Sequence, residues 1–163
     1  MSADGDFTGG ICWSGDAPTR HWPALYKGAL EMDDETLIKA AITARDKAYA
    51  PYSNFKVGAA VLDETGEVHT GQNVENAAYP NGICAETAAI AMMVQQGGTR
   101  IVKIAVSGGS GDMLCTPCGG CRQRIREFAN AGTPVIIADN TQLKARFTLD
   151  ELLPHSFGPE NLD

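Results

Sequence analysis

At 163 residues, 44% of them hydrophobic and 20% charged, the chain is sized and composed for one globular domain with a substantial core. A net charge of −7 argues against a nucleic-acid partner, because affinity for a phosphate backbone rests on lysine and arginine. No apolar run is long enough to span a bilayer, and Met1 to Phe7 is acidic and polar where a secretion signal is basic and then apolar. No membrane partner and a cytoplasmic location are therefore expected.

Residues 1–30 are rich in Gly and Asp and show no sustained periodicity, so they are expected to be a flexible N-terminal extension, with Cys12 a spare thiol. Residues 31–163 are expected to form a single domain. From Asp33 the pattern turns helical: Leu37, Ala40, Ala41, Ala44 and Ala48 recur on one face, and Pro51 stops the run. Lys56–Asp63 and Val68–Glu75 then read as two strands of a hairpin around a Gly-containing turn. Within the first strand, Gly58, Ala59 and Ala60 are small enough to let a helix or a ligand come close.

Cys84 opens the next helix, with Ala88, Ala89, Met92 and Met93 at helical spacing and Gly97-Gly98 at its end. Ile101–Ser107 reads as a buried strand and Gly108–Met113 as a loop. Cys121, Ile125 and Phe128 mark a further helix, closed by Gly132. Pro134–Ala138 is another buried strand, and Arg146–Leu149 adds a last one before an Asp150–Leu153 turn. Strands alternating with helices predict an α/β fold, a three-layer α-β-α sandwich with helices on both faces of one mixed sheet. Arg122, Arg124 and Arg126 read as a solvated helix surface, and His21, His69 and His155 stand in no metal-spaced or triad-like pattern.

The chemistry gathers in two clusters, Cys84-Ala85-Glu86 and Pro117-Cys118-Gly119-Gly120-Cys121, each at the start of an expected helix. An odd count of five cysteines without a signal peptide favours reduced thiols over disulfides. Zinc takes thiolates in a tetrahedron, and a catalytic site leaves one position for water. Cys118-x-x-Cys121 supplies two ligands from one turn, and Cys84 can supply a third. Glu86, two residues on, can then move a proton without ligating the ion. Cys115, Cys118 and Cys121 with Cys84 could also form a closed four-thiolate zinc site or hold an iron–sulfur cluster; Thr116-Pro117 and an unused Glu86 speak against it, and on residues alone that alternative stays open.

These clusters resemble those of the small, homotetrameric cytidine deaminases. The likeness extends to Pro51-Tyr52-Ser53-Asn54-Phe55, Val57-Gly58-Ala59-Ala60, Asn73-Val74-Glu75-Asn76-Ala77-Ala78-Tyr79, and Glu151-Leu152-Leu153-Pro154 with Ser156-Phe157-Gly158-Pro159. It implies a five-stranded sheet and a catalytic deaminase domain over residues 31–163. It also implies Zn²⁺ on Cys84, Cys118 and Cys121, Glu86 as proton shuttle, and hydrolysis of cytidine and 2′-deoxycytidine to uridine and 2′-deoxyuridine in pyrimidine salvage. By position, Phe55 would pack beside the base, Asn73 and Glu75 would hold the ribose, and Ala85 would line the substrate site. Tyr79 and Phe157 would reach a neighbour's pocket in a homotetramer with shared active sites. The family commonly has arginine where this chain has Thr87, so offsetting thiolate charge falls to the helix N-termini and Arg122. Deaminases of a cytosine-bearing antibiotic such as blasticidin S share the two cysteine clusters, and this second substrate class is weighed below.

Overall fold

The computed structural model describes residues 32–162, so the expected extension over residues 1–30, with Cys12 and His21, lies outside the described residues. Five strands form one sheet: β1 (Val57–Asp63), β2 (Val68–Gln72), β3 (Ile101–Gly108), β4 (Pro134–Ala138) and β5 (Leu143–Thr148). Their spatial order is β2-β1-β3-β4-β5. Only β3 and β4 run parallel; the other pairs are antiparallel, so the sheet is mixed. Every residue of β3 is buried, which is why its sequence shows no polar–apolar alternation; its one charged residue, Lys103, is buried with its Nζ bonded to Asp34 at 2.7 Å.

Helices cover both faces. α1 (Asp34–Asp46) seats Leu37, Ile38 and Ala41 on Ala60, Leu62, Val102, Ala105 and Ile136. α2 (Ala85–Gln95) and α3 (Gly119–Phe128) lie on the other face, where Ala89, Met93 and Ile125 pack on Val61, Ile104, Val106 and Ile137. Two glycines set how close the helices come. A Cβ on Gly58 would stand 2.1 Å from the Ala41 carbonyl of α1, and one on Gly71 would stand 2.3 Å from the Ala89 amide of α2. The small-residue stretch in β1 thus admits a helix, while the matching glycine in β2 carried no such expectation.

Several boundaries differ from expectation, each for a tertiary reason. α1 stops at Asp46 rather than at Pro51, because Tyr49 leaves the helix to pair with Asn73 and Glu75, its amide bonding the Asn73 carbonyl at 3.0 Å. β2 ends at Gln72, since Val74 turns away to bridge Tyr49 and Ile83. The last strand begins at Leu143, and Leu149 belongs to a short helix α4 (Leu149–Leu152) started by a Thr148–Glu151 capping box. α2 buries Ala85, Glu86, Ala89, Ile90 and Met93, leaving Met92 on the exposed side. α3 ends at Phe128, with Gly132 in the turn that follows. His69, which stands in no metal-spaced or triad-like pattern, is buried and bonds Asp63 at 2.7 Å. Among the described residues, no helix is long and apolar enough to cross a membrane.

Candidate active site

β2 and β3 finish at the same end of the sheet, where Gln72 lies opposite Gly58 and Gly108 opposite Val57. The chain leaves both strands there to start α2 and α3, so the two helix N-termini meet above that edge. Cys84 is the N-cap of α2 and Cys118 the N-cap of α3, while Cys121 stands in the first turn of α3. The sulfur atoms of Cys84, Cys118 and Cys121 all lie within 4.8 Å of one another. Cys115 lines the same cleft without joining that trio, so the four-cysteine arrangement is not what the fold brings together.

Burial is the main push upward on the Cys84 and Cys121 thiols; at Cys84 a bond with Cys121 opposes it, while the charge of Glu86 raises both. Cys118 is shifted downward: burial opposes the shift, but the Cys121 amide and the adjoining thiols bond its sulfur and outweigh it. Three thiolates this close need a cation between them. The donor set therefore fits a soft or borderline divalent metal, with a fourth tetrahedral position left open. The two helix N-termini add partial positive charge toward the same point.

Glu86 sits one residue into α2, only 4% exposed, at the floor of the cleft. Burial raises its carboxyl above the ordinary carboxylate range, against smaller opposing contributions from its own backbone, Cys121 and Arg124. A carboxyl raised by burial beside three sulfurs is suited to hold a proton and give it back.

The cleft has a volume of about 640 Å³, and among the described residues none that lines it is basic. Phe55, Asn73, Glu75, Tyr79 and Ala85 all line it, together with Ser53 and Thr116. Asn73 is tied at both ends of its amide: its Nδ2 donates to the Phe55 carbonyl at 2.9 Å, and its Oδ1 accepts from the Val57 amide at 2.8 Å. Glu75 accepts from the Tyr52 amide at 2.9 Å, the Ser53 amide at 3.2 Å and the Ser53 hydroxyl. Those bonds, led by the Ser53 hydroxyl, lower its carboxyl and keep it charged. Asn73 and Glu75 thus shape the 52–57 wall of the cleft. Ser53 is a partner that residue types alone did not single out; its place in the Pro51–Phe55 segment was the available signal.

Arg122 is spent on oxygen. It donates to the Pro117 carbonyl at 2.7 Å, the Leu152 carbonyl at 2.7 Å and the Thr116 hydroxyl at 2.9 Å, bracing the turn that carries Cys118. Thr87 places its hydroxyl 4.0 Å from the Cys121 sulfur. Tyr79 is 78% exposed at the rim of the chain's own cleft, whereas Phe157, 58% exposed, does not line it. Arg126 is not a solvated side chain: it bonds Ser156 and Glu160 of the C-terminal tail.

With this geometry in view, residues 31–137 match the model of the cytidine and deoxycytidylate deaminase zinc-binding region. The chain belongs to the cytidine and deoxycytidylate deaminase family. It is 41% identical over 132 residues to a cytidine deaminase of Halalkalibacterium halodurans, covering 81% of this chain and 99% of that one. Against the crystal structure of the Burkholderia pseudomallei cytidine deaminase the TM-score is 0.72, at 40% identity, over 77% of this chain and all of the other. The cytidine deaminase of Mycobacterium tuberculosis gives a TM-score of 0.67 at 38% identity, over 78% and 99% of the two chains. The five-stranded mixed sheet with flanking helices is thus the cytidine deaminase fold, and the chain is an enzyme of that family.

Proposed function

We propose that the protein is a zinc-dependent deaminase converting cytidine and 2′-deoxycytidine, with water, to uridine or 2′-deoxyuridine and ammonia, in pyrimidine salvage. One observation carries the reading: a buried glutamate stands beside three convergent sulfurs at the floor of an uncharged-to-acidic cleft. Cys84, Cys118 and Cys121 would hold the ion, which supplies Lewis acidity that makes water nucleophilic near neutral pH. Glu86 accepts the proton of the water that attacks C4 of the base and delivers it to N3. It then protonates the departing amino group, so that ammonia leaves and the carbonyl of the uracil product forms. Phe55 and Ala85 bound the space for the base. Asn73 and Glu75 offer an acceptor-rich wall for the sugar, stiffened by their bonds to the 52–57 segment.

Charge favours nucleosides over nucleotides. Glu75 is ionised and, among the described residues, no lysine or arginine lines the cleft, so a phosphate would meet repulsion with no compensating cation there. The same wall favours a ribose-bearing substrate over a cytosine-bearing antibiotic. Arg122 contributes its charge near the cysteines while its directed bonds brace the Pro117 turn. Aromatic side chains left exposed around the cleft, Tyr52, Phe55 and Tyr79, together with Phe157, support a homotetramer in which Phe157 of one copy completes the cleft of another.

The test is ammonia release from cytidine by zinc-loaded protein, with Glu86→Gln as the comparison. Release that vanishes in the variant while zinc content and fold persist supports the reading. Equal turnover of cytidine and cytidine monophosphate would refute the nucleoside preference.

A further inference from the structure

α3 has two sides with different duties. Its inner side carries Cys121, fully buried, and its N-cap is Cys118. Its outer side grips the C-terminal tail. The Gln123 Nε2 donates to the Phe157 carbonyl at 2.9 Å, and the Arg126 Nε donates to the Ser156 hydroxyl at 3.0 Å. The Arg126 guanidinium, with only 18% of its side chain exposed, also pairs with Glu160.

Beyond Phe157 the chain closes on itself. The Gly158 amide donates to Asn161 Oδ1 at 2.8 Å, and the Asn161 amide returns a bond to the Gly158 carbonyl at 2.9 Å. Gly158 runs close beneath that pair: a Cβ there would stand 2.4 Å from a Glu160 carboxylate oxygen and 2.7 Å from the Arg126 Nη2. Just upstream, His155 takes a φ of 53°, a left-handed turn that sets the course of the tail toward α3. The tail is thus tied to α3 through Ser156 and Glu160, on both sides of Phe157, and through the Phe157 carbonyl itself, while the Phe157 side chain stays exposed. A fraying terminus does not spend an arginine and a glutamine this way.

We propose that Gln123 and Arg126 are positioning residues that fix Phe157 before it meets the cleft of a second copy. This inference rests on the reading above that Phe157 completes a neighbouring cleft. A ring already held in place loses little freedom when substrate binds beneath it, so anchoring strengthens substrate binding. Neither residue touches the cysteines or Glu86, so chemistry at the base is untouched by their loss. The defect belongs in KM.

The experiment is a double-variant cycle on the zinc-loaded enzyme. Arg126→Ala is expected to raise KM for cytidine about tenfold, equivalent to about 1.4 kcal/mol, with kcat changed less than about twofold. Phe157→Ala is expected to do the same, and Arg126→Ala in the Phe157→Ala background to add nothing. Hydrogen exchange at the Asn161 amide should quicken in Arg126→Ala while β3 amides keep their protection. Arg126→Lys, which keeps the charge toward Glu160 and loses the Ser156 bond, should recover part of the affinity.

An unchanged KM in Arg126→Ala, or an equal loss whether or not Phe157 is present, overturns the proposal. If Arg126→Ala does not fold, Gln123→Ala, which removes a single bond to the tail, enters the same cycle under the same criteria. If wild type releases no ammonia from cytidine, the functional reading falls instead. The anchoring is then judged by exchange alone, and unaltered Asn161 protection in Arg126→Ala overturns it.

Discussion

Two carboxylates, each almost closed to solvent, stand at opposite ends of the sheet, and the protein treats them in opposite ways. Asp63, 2% exposed, closes the far end of β1. Its Oδ1 accepts from the Thr65 amide at 2.8 Å, the Thr65 hydroxyl at 2.7 Å and the Glu67 amide at 3.0 Å, while Oδ2 meets His69 at 2.7 Å. Burial alone would raise its carboxyl, but His69 and these donors outweigh burial and lower it. Glu86, 4% exposed at the cleft end, is left with burial dominant and its carboxyl raised. The lesson is that burial by itself does not decide the state of an acid. The balance between the depth of burial and the donors and charges around it does. A fully answered carboxylate stabilises the fold; an under-answered one is available to move protons.

The largest expected effect comes from Glu86→Gln. It keeps size and shape but cannot carry the proton, so kcat should fall by about 10²–10⁴-fold with zinc content and melting temperature preserved. A variant that unfolds instead would break the contrast, because Glu86 would then be structural. Next is Gly71→Ala. Its Cβ would meet the α2 backbone at 2.3 Å, so α2 must move, at a cost of about 1–3 kcal/mol in stability by urea denaturation. Because α2 carries Cys84 and Glu86, activity should fall as well, unlike a simple surface substitution.

Asp63→Asn should be the mirror image of Glu86→Gln. It is expected to cost about 1–3 kcal/mol of stability by leaving donors and His69 imperfectly matched, with kcat per folded, zinc-loaded molecule unchanged. The smallest effect is on pH. Because the folded-state pKa of Asp63 lies below its unfolded value of 3.8, its contribution is present above that value and is lost as pH falls through the folded pKa. Wild type should therefore lose stability more steeply than Asp63→Asn as pH drops below about 4, measured by denaturant unfolding across pH. Equal slopes would show that Asp63 gains nothing from its donors.

The two ends were not equally legible in the sequence. The cleft end announces itself through thiols: three cysteines and a glutamate at two helix starts are rare enough in a reduced protein to point to metal before any coordinates are known. The strands β3 and β4 are equally plain, since buried parallel neighbours are predominantly apolar and β3 departs from that only at Lys103 and Ser107. The Asp63 end is silent, because an Asp and a His six residues apart in a hairpin look like ordinary polar positions until the pairing of β1 with β2 brings them together. The same holds for Arg126. Its helical spacing from Arg122 was visible, but a shared face reads as solvent until the tail folds back over it. The early end of α1 depends on Tyr49 pairing with Asn73 and Glu75, a contact made across the chain and absent from local propensity.

One further consequence follows from where the cysteines stand along the chain. Cys84 lies in the connection before β3 and Cys118 in the connection after it, so an ion gripping both closes a covalently continuous ring with the central strand inside. Such a ring works as a cross-link. It restricts the denatured chain, as a disulfide does, and it rewards only the state in which β2, β1 and β3 are already side by side. Metal loading is thus a matter of durability as much as of chemistry, and chelation should lower the melting temperature of the whole sheet instead of merely silencing the cleft.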